Sequence, residues 1–543
     1  EKTAGPLIAE FGDLEALLAK ADKVKGKRGE MLRAHTDDAR TSKYLATLRY
    51  DVPLATSVEA LLRREPDATR LVDLLRRLDF TRLIVDLGLQ STAGANAASA
   101  STTAATSQVS RDNYKCVLTE TDLARLLERL DASPAFAVDT ETTSLSPLDA
   151  DLVGISIAVA PGEAYYIPVG HNYDGAPAQL PRESVVARLK PLLESPRHAK
   201  IGQNMKFDAG VFARVGVRLA PLSFDTMIAS YLLNPEGRSH KLDDMALNHL
   251  GHKMIAFAEA APDGEFAKVS VERATEYSAE DADVAFMLRE VFAPRLDEGG
   301  MRKLFDEIEM PVVGVIGRME RAGVLLDVPR LASIDATFAA METASLARIR
   351  DIAGAEFNPA SPKQLARILF EELKLPVIKR TKTGASTDSE VLQHLVQHHA
   401  LPTQLMEYRE LSKLVSTYVE ALPKLADPRT GRIHTTLNQA ATATGRLSSS
   451  EPNLQNIPIR TELGRRIREA FTAEPGKLIL SADYSQIELR VMAHMSEDPL
   501  LIGAFKKGED IHARTAAEVF GIMPGLVTSE MRRMAKVVNF GII

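Results

Sequence analysis

Apolar positions change their rhythm several times along this chain, and each change predicts a different kind of segment. Up to about residue 90 they come in short helical bursts, as in GPLIAEFGDLEALLAKA, broken at Gly5 and Gly12. From Gln90 to Asn113 the periodicity stops. QSTAGANAASASTTAATSQVSRDN is almost all Ala, Ser, Thr and Gly, cannot bury a core, and predicts a mobile linker. Strand-like apolar runs then alternate with helical ones to about Pro294, an α/β pattern. From Lys303 long helical patterns dominate: GVIGRMERAGVLLD, PKQLARILFEEL and EYRELSKLVSTYVEALPKL. No internal repeat is evident. The expected organisation is multidomain α/β and α: helices over 1–90, a linker over 91–112, an α/β domain over 113–300 and a mainly helical domain over 301–543.

Carboxylates occupy telling places in the α/β part. In AFAVDTETTSL, Asp139 and Glu141 follow the apolar run Ala135-Phe136-Ala137-Val138. Residues i and i+2 of a strand share a face, so both acids point to one side. KIGQNMKFDAGVF supplies Asp208 near a strand-to-helix junction, and EYSAEDADV places Tyr277 and Asp281 four apart on one helix face. Acids brought together would repel unless cations neutralise them. Oxygen-only ligands suit Mg²⁺, with Mn²⁺ able to substitute, and such a site can cleave a phosphodiester. Tyr277 is placed to help orient the attacking water.

Two further strings lie near the C-terminal end. ATATGRLSSSEPNLQNIPIR offers amide and guanidinium donors (Arg446, Asn453, Gln455, Asn456, Arg460) for phosphate and base edges. About twenty residues on, Leu478-Ile479-Leu480 predicts a buried strand that delivers Asp483 at its end, with Glu488 and Arg490 following. In SEMRRMAKVVNFGII, Arg532, Lys536 and Phe540 recur at i, i+4 and i+8. That helical stripe presents two cations to a triphosphate and a ring beside base or sugar.

Composition narrows the setting. The 543 residues are 45% hydrophobic, enough for sizeable cores, and carry 66 basic against 73 acidic side chains, a net −7. A nucleic-acid partner is therefore gripped by a local groove rather than by overall charge. The single cysteine, Cys116, excludes an internal disulfide and a cysteine zinc site, and fits a reducing cytoplasm. No signal peptide is visible, and no apolar run approaches the roughly 20 residues of a membrane span. A soluble monomer is expected.

The palm-like string from Ala441 to Arg490 closely resembles the first palm motif of family A DNA polymerases of the bacterial type. The acids Asp139, Glu141, Asp208 and Asp281, with Tyr277, are similar to the DEDD-type 3′→5′ exonucleases that proofread for this family, which implies an RNase H-like domain. The first segment, with its basic turn at Lys23, Lys25, Lys27 and Arg28, resembles the helical DNA-binding part of a 5′-nuclease domain. The acid-rich half of such a nuclease is not in the sequence, so no 5′-nuclease activity is expected. Residues 301–543 are then part of a right-hand polymerase domain: thumb, palm and fingers.

The resemblance implies roles. Asp483 matches the first metal-binding acid of the palm, and Glu488 the residue that blocks a ribose 2′-OH. His512, Arg532 and Lys536 match triphosphate contacts, while Phe540 is linked to discrimination against dideoxynucleotides. Arg446 matches the residue that reaches the primer-terminal base in the minor groove. Lys379, Arg380 and Lys382 belong to a thumb tip that contacts phosphates. His434, Thr435, Asn438 and Gln439 lie near the primer–template. Asp225 also matches a family position, without an assigned role. The implied partners are primer–template DNA and deoxynucleoside triphosphates, in a bacterial cytoplasm.

One departure matters. The family's downstream His-Asp-Glu triplet supplies a second palm acid, and none of the 12 histidines here is followed by Asp. Two-metal nucleotidyl transfer needs both acids. The expectation is a partial chain of a longer polymerase, incomplete for polymerisation as it stands. The alternative is a 3′→5′ exonuclease whose helical C-terminal part only binds DNA.

Overall fold

The structure, a computed structural model, describes residues 4–48, 67–78, 80, 83–84, 87, 89, 109–237, 239–381, 384–459 and 461–542. Most of the expected linker, Lys382 and Arg460 lie outside these residues. The chain forms two compact units, Glu1–Asn96 and Ala97–Ile543. In the first, short helices Ala4–Phe11, Leu14–Ala19, Lys27–Ala34 and Thr36–Ala46 follow one another. The Asp13 carboxylate accepts the Ala16 N–H at 2.8 Å and starts the second of them. Leu17, Ala21 and Val24 are buried, while the basic turn at Lys23, Lys25, Lys27 and Arg28 is exposed.

The second unit opens on a six-stranded sheet: β1 (Lys115–Cys116), β2 (Ala135–Thr142), β3 (Leu152–Ala160), β4 (Glu163–Pro168), β5 (Ala199–Gly202) and β6 (Leu222–Asp225). Their order is β1-β4-β3-β2-β5-β6. The β2–β3 and β3–β4 pairs are antiparallel, whereas β5 and β6 continue parallel to β2. Central β3, LVGISIAVA, is buried along nearly all its length, as a near-continuous apolar run should be. The helix Glu120–Asp131 buries Leu123, Leu126 and Leu130 at helical spacing, and the Thr119 hydroxyl accepts the Asp122 N–H at its start. The 28-residue helix Val271–Glu298 lies across the face of the sheet that bears Asp139 and Glu141.

The rest is mainly helical, as the pattern predicts. Helices Val328–Ala353 and Leu401–Leu414 pack together over two apolar cores, one around Phe338 and Leu414, the other around Ile349 and Leu405. A small sheet joins Arg432–Ile433, Val324–Leu326 and Phe471–Thr472. The segment Leu437–Thr442 ties this part to the six-stranded sheet domain. Lys206 pairs with Glu320 and donates to the Leu437 carbonyl, and the Tyr231 hydroxyl donates to the Thr442 carbonyl at 2.7 Å.

The expected strand at Leu478-Ile479-Leu480 does not form. The three side chains are 94%, 61% and 92% exposed and the segment has no regular structure. A strand persists only where a neighbour satisfies its N–H and C=O groups, and no described strand runs beside this one.

Candidate active site

Carboxylate oxygens of Asp139, Glu141 and Asp281 all lie within 4.8 Å of one another. The period-two spacing on β2 and the turn of the long helix thus converge as the sequence predicts. Asp208, on the helix Met205–Arg214, is buried next to them and accepts the Thr140 hydroxyl at 2.5 Å. Glu141 accepts the Ser278 hydroxyl at 2.7 Å. Tyr277 stands one turn before Asp281, its ring packed against Phe257 and Phe266 with centroids 6.3 and 5.7 Å away.

These acids are uncomfortable as bare anions. Burial pushes Asp139 up to about 6, against the pull of the Thr140 N–H and the Ser156 hydroxyl. Burial and then the Asp139 charge push Glu141 up to about 8. Asp208 and Asp281 are driven well above the usual carboxylate range, first by burial and then by Asp139. Burial and the acid charges raise the Tyr277 phenol too, so it stays protonated. An all-oxygen donor set with this much unrelieved repulsion fits a hard divalent cation.

A stability prediction follows from the same shifts. Folded pKa values above the unfolded ones mean that the native state binds extra protons between about pH 4.5 and 8. Without metal, the unfolding transition of this sheet domain should therefore move down by several degrees as pH rises through that window. A divalent cation replaces those protons, so its stabilising effect should be small at pH 5 and large at pH 8. Thermal unfolding with chelator or with excess Mg²⁺ checks this; a metal-induced shift equal at both pH values contradicts it.

The acids sit in an open cleft of about 860 Å³, whose walls include Leu145, Phe207, Phe257, Gln203 and Asn204. Leu145 is 95% exposed at its rim. Ala440 and Ala441, from the segment tied to Lys206 and Tyr231, complete the wall.

Asp225 has a structural task. Its carboxylate accepts the N–H groups of Asn204 at 3.0 Å, Met205 at 2.8 Å and Met227 at 2.9 Å. It thereby holds the first turn of the helix that carries Asp208. Thr140 and Ser278 also support the acids, and local spacing gave no signal for either.

A second group assembles on helices Ile511–Phe520 and Ser529–Ile542. His512 is buried, and its ring lies 5.6 Å from that of Phe540. The Lys536 ammonium lies 5.8 Å from the Phe540 ring centre. Arg532 donates to Asp510 at 2.8 Å, and Asn539 donates to His512 Nδ1 at 3.0 Å. Burial, then Arg532, holds the imidazole below its usual range. His512, Arg532, Lys536 and Phe540 are thus gathered in one place.

Other predicted residues are more scattered. Arg446 forms an ion pair with Glu488. Asn453 accepts the Gln455 N–H at 3.0 Å, Gln455 donates to the Leu447 carbonyl at 3.0 Å, and Asn456 is exposed. Lys379 is exposed and pairs with Asp388 and Glu390, beside an exposed Arg380. His434 and Gln439 turn inward: His434 Nδ1 bonds the Glu320 carbonyl, and buried Gln439 donates to Glu309. Asp483 is exposed and belongs to no carboxylate cluster among the described residues.

The structure thus holds a cluster of acids on a mixed sheet with a tyrosine one helical turn from the last acid, and a separate helical group of His512, Arg532, Lys536 and Phe540. Residues 114–297 match a family of 3′-5′ exonucleases, 329–543 match DNA polymerase family A, and 1–69 match the C-terminal SAM fold of 5′-3′ exonucleases. The chain is 43% identical to DNA polymerase I of Pseudomonas aeruginosa over 561 residues, covering 100% of this chain and 61% of that protein. It is 37% identical over 548 residues to DNA polymerase I of Geobacillus stearothermophilus, covering 100% and 59% respectively. Among solved structures it resembles the POL domain of Pol1 from M. smegmatis, solved in complex with DNA primer-template and dNTP. That match has a TM-score of 0.66 and 35% identity, covering 79% of this chain and 71% of that one. The chain belongs to DNA polymerase family A, and it spans 61% of the length of the Pseudomonas relative.

Proposed function

We propose that this chain carries the 3′→5′ proofreading exonuclease of a DNA polymerase I-type enzyme, together with nucleotide- and DNA-binding parts of its polymerase site, acting in replication and repair. The observation that carries the reading is the convergence of Asp139, Glu141 and Asp281 beside Asp208 in an open cleft. Asp139, Glu141, Asp208 and Asp281 would hold Mg²⁺, or Mn²⁺ in its place. A cation held there would supply the acidification of a water and the offset of charge on the leaving oxygen. The protein's own part is positional. Thr140 and Ser278 fix carboxylate oxygens of Asp208 and Glu141. Tyr277, held protonated, offers a hydrogen-bond donor to the attacking water. The apolar walls at Leu145, Phe207 and Phe257 suit an unstacked terminal base, so single-stranded and frayed 3′ ends are the substrate.

Incubating the protein with 3′-labelled single-stranded DNA and either cation tests the reading. Stepwise release of terminal mononucleotides is expected. No release with either metal removes the exonuclease assignment.

For the polymerase part, Arg532 and Lys536 bind the triphosphate and Phe540 packs beside base or sugar. Gathering these with His512 favours a nucleotide site over a simple DNA-binding surface. Asp483 holds a palm metal, Arg446 reads the minor-groove edge, and the Asn453–Asn456 turn with Lys379, Arg380, Lys382 and His434 contacts or supports the primer–template. Glu488 selects sugar by bulk near C2′, with Arg446 as its ionic partner. In a polymerase containing this chain, Glu488→Ala should raise ribonucleotide incorporation at least tenfold relative to deoxynucleotide, about 1.4 kcal/mol of lost discrimination. Single-nucleotide incorporation kinetics with paired ribo and deoxy substrates measure the ratio, and an unchanged ratio argues against the role.

A further inference from the structure

Beside the acids, on the same face, the sheet carries a row of polar side chains to which the reading above gives no role in the reaction. Ser156 on β3 pairs directly with Asp139 on β2 and with Tyr166 on β4. Directly opposed residues of antiparallel strands share a face, with Cβ atoms about 5 Å apart. Asp139, Ser156 and Tyr166 therefore form one line across the sheet, and Glu141 opposite Gly154 begins the next. Ser156 is 0% exposed; its hydroxyl lies near enough to Asp139 to pull that acid's pKa down, yet it completes no hydrogen bond of ordinary geometry within the described protein. A buried hydroxyl short of a full hydrogen bond is unfavourable, so stability alone gives little reason for a serine there. Tyr166 is also fully buried, and its hydroxyl meets His171 Nε2 at 2.7 Å. Its ring crosses over Gly154, where any Cβ would collide with the phenol. The glycine thus opens the space through which Tyr166 reaches toward the Glu141 row. His171 is held in turn by Gln179, which bonds both its N–H and its carbonyl.

We propose that Ser156 and the Tyr166–His171 pair are positioning residues for the exonuclease metal site, orienting the Asp139 and Glu141 carboxylates from beside them. The inference rests on the exonuclease reading above. The Ser156 hydroxyl donates to Asp139 when that acid is a ligand, leaving the other carboxylate lone pairs directed at the cation. Tyr166, backed by His171, limits the swing of Glu141, whose front side is held by Ser278. Partners that orient metal-binding carboxylates in this way are typically worth about 10–100-fold in metal affinity or activity.

The test uses the whole protein with Ser156→Ala and Tyr166→Phe, each removing one hydroxyl and no bulk. Mn²⁺ binding is followed directly by electron paramagnetic resonance titration, alongside 3′ hydrolysis. Each variant should need about tenfold more Mn²⁺ for half-saturation and lose kcat, with KM for single-stranded DNA unchanged. Metal-free Ser156→Ala should melt close to the wild-type temperature, because it sheds a buried hydroxyl that completes no ordinary hydrogen bond. Gly154→Ala should resemble Tyr166→Phe if it folds. If wild type hydrolyses 3′ ends and both single variants match it in Mn²⁺ affinity and kcat, the inference is overturned. If wild type neither binds Mn²⁺ nor hydrolyses, the exonuclease reading itself has failed.

Discussion

Replacing Asp139 and Glu141 together by alanine should reduce 3′ hydrolysis by at least ~10³-fold, about 4 kcal/mol of transition-state stabilisation. Both acids lie in the cluster whose oxygens sit within 4.8 Å, so the double change leaves only Asp281 of that cluster, with Asp208 buried nearby. DNA affinity should fall no more than a few-fold. The cleft walls at Leu145, Phe207 and Phe257 are untouched, and removing two carboxylates makes the cleft less hostile to phosphate. The metal-free variant should also melt higher than wild type at pH 8. Burial raises both acids, the Asp139 charge raises Glu141 further, and alanine has no charge to desolvate. The pair of results is diagnostic: a variant inactive because it is misfolded would melt lower. Hydrolysis near the wild-type rate would sink the assignment.

Much of that site was legible because its parts obey local periodicities. Asp139 and Glu141 are two apart on a strand, and Tyr277 and Asp281 four apart on a helix, so spacing alone put each pair on one face. Arg532, Lys536 and Phe540 were legible as a stripe for the same reason. What the sequence hid is what depends on register between strands or on tertiary partners. Ser156 and Tyr166 lie 17 and 27 positions beyond Asp139, and only the β2–β3–β4 pairing brings them into its row. Asp225 could not be seen as the acceptor for three N–H groups until β5, β6 and two helix starts were side by side. His434 and Gln439 read as polar groups facing DNA, yet Glu320 and Glu309 draw them inward. Leu478-Ile479-Leu480 had strand composition without a strand neighbour, and composition cannot supply one.

Separate chemistry at Asp483 leads to the other large effect. Asp483 shares no cluster with the exonuclease acids among the described residues, so its loss should leave that site intact. In a polymerase containing this chain, Asp483→Ala should cut primer extension by at least ~10³-fold, since a palm acid that holds a catalytic metal accounts for several kcal/mol. Trimming of a mismatched 3′ end without nucleotides should stay at the wild-type rate. Losing one stacking step costs a duplex end about 1.4 kcal/mol, so a terminal mismatch frays roughly tenfold more often and reaches the exonuclease cleft that much more readily. Adding the correct deoxynucleotide separates the enzymes further. Wild type should then hold and extend a matched end, whereas Asp483→Ala should go on trimming it, because removal is no longer opposed by synthesis. A gel assay of matched and mismatched primers, with and without nucleotide, reads all four conditions together. Loss of trimming in parallel with loss of extension would mean that the two activities share a site, and the division between Asp483 and the Asp139 cluster would be wrong.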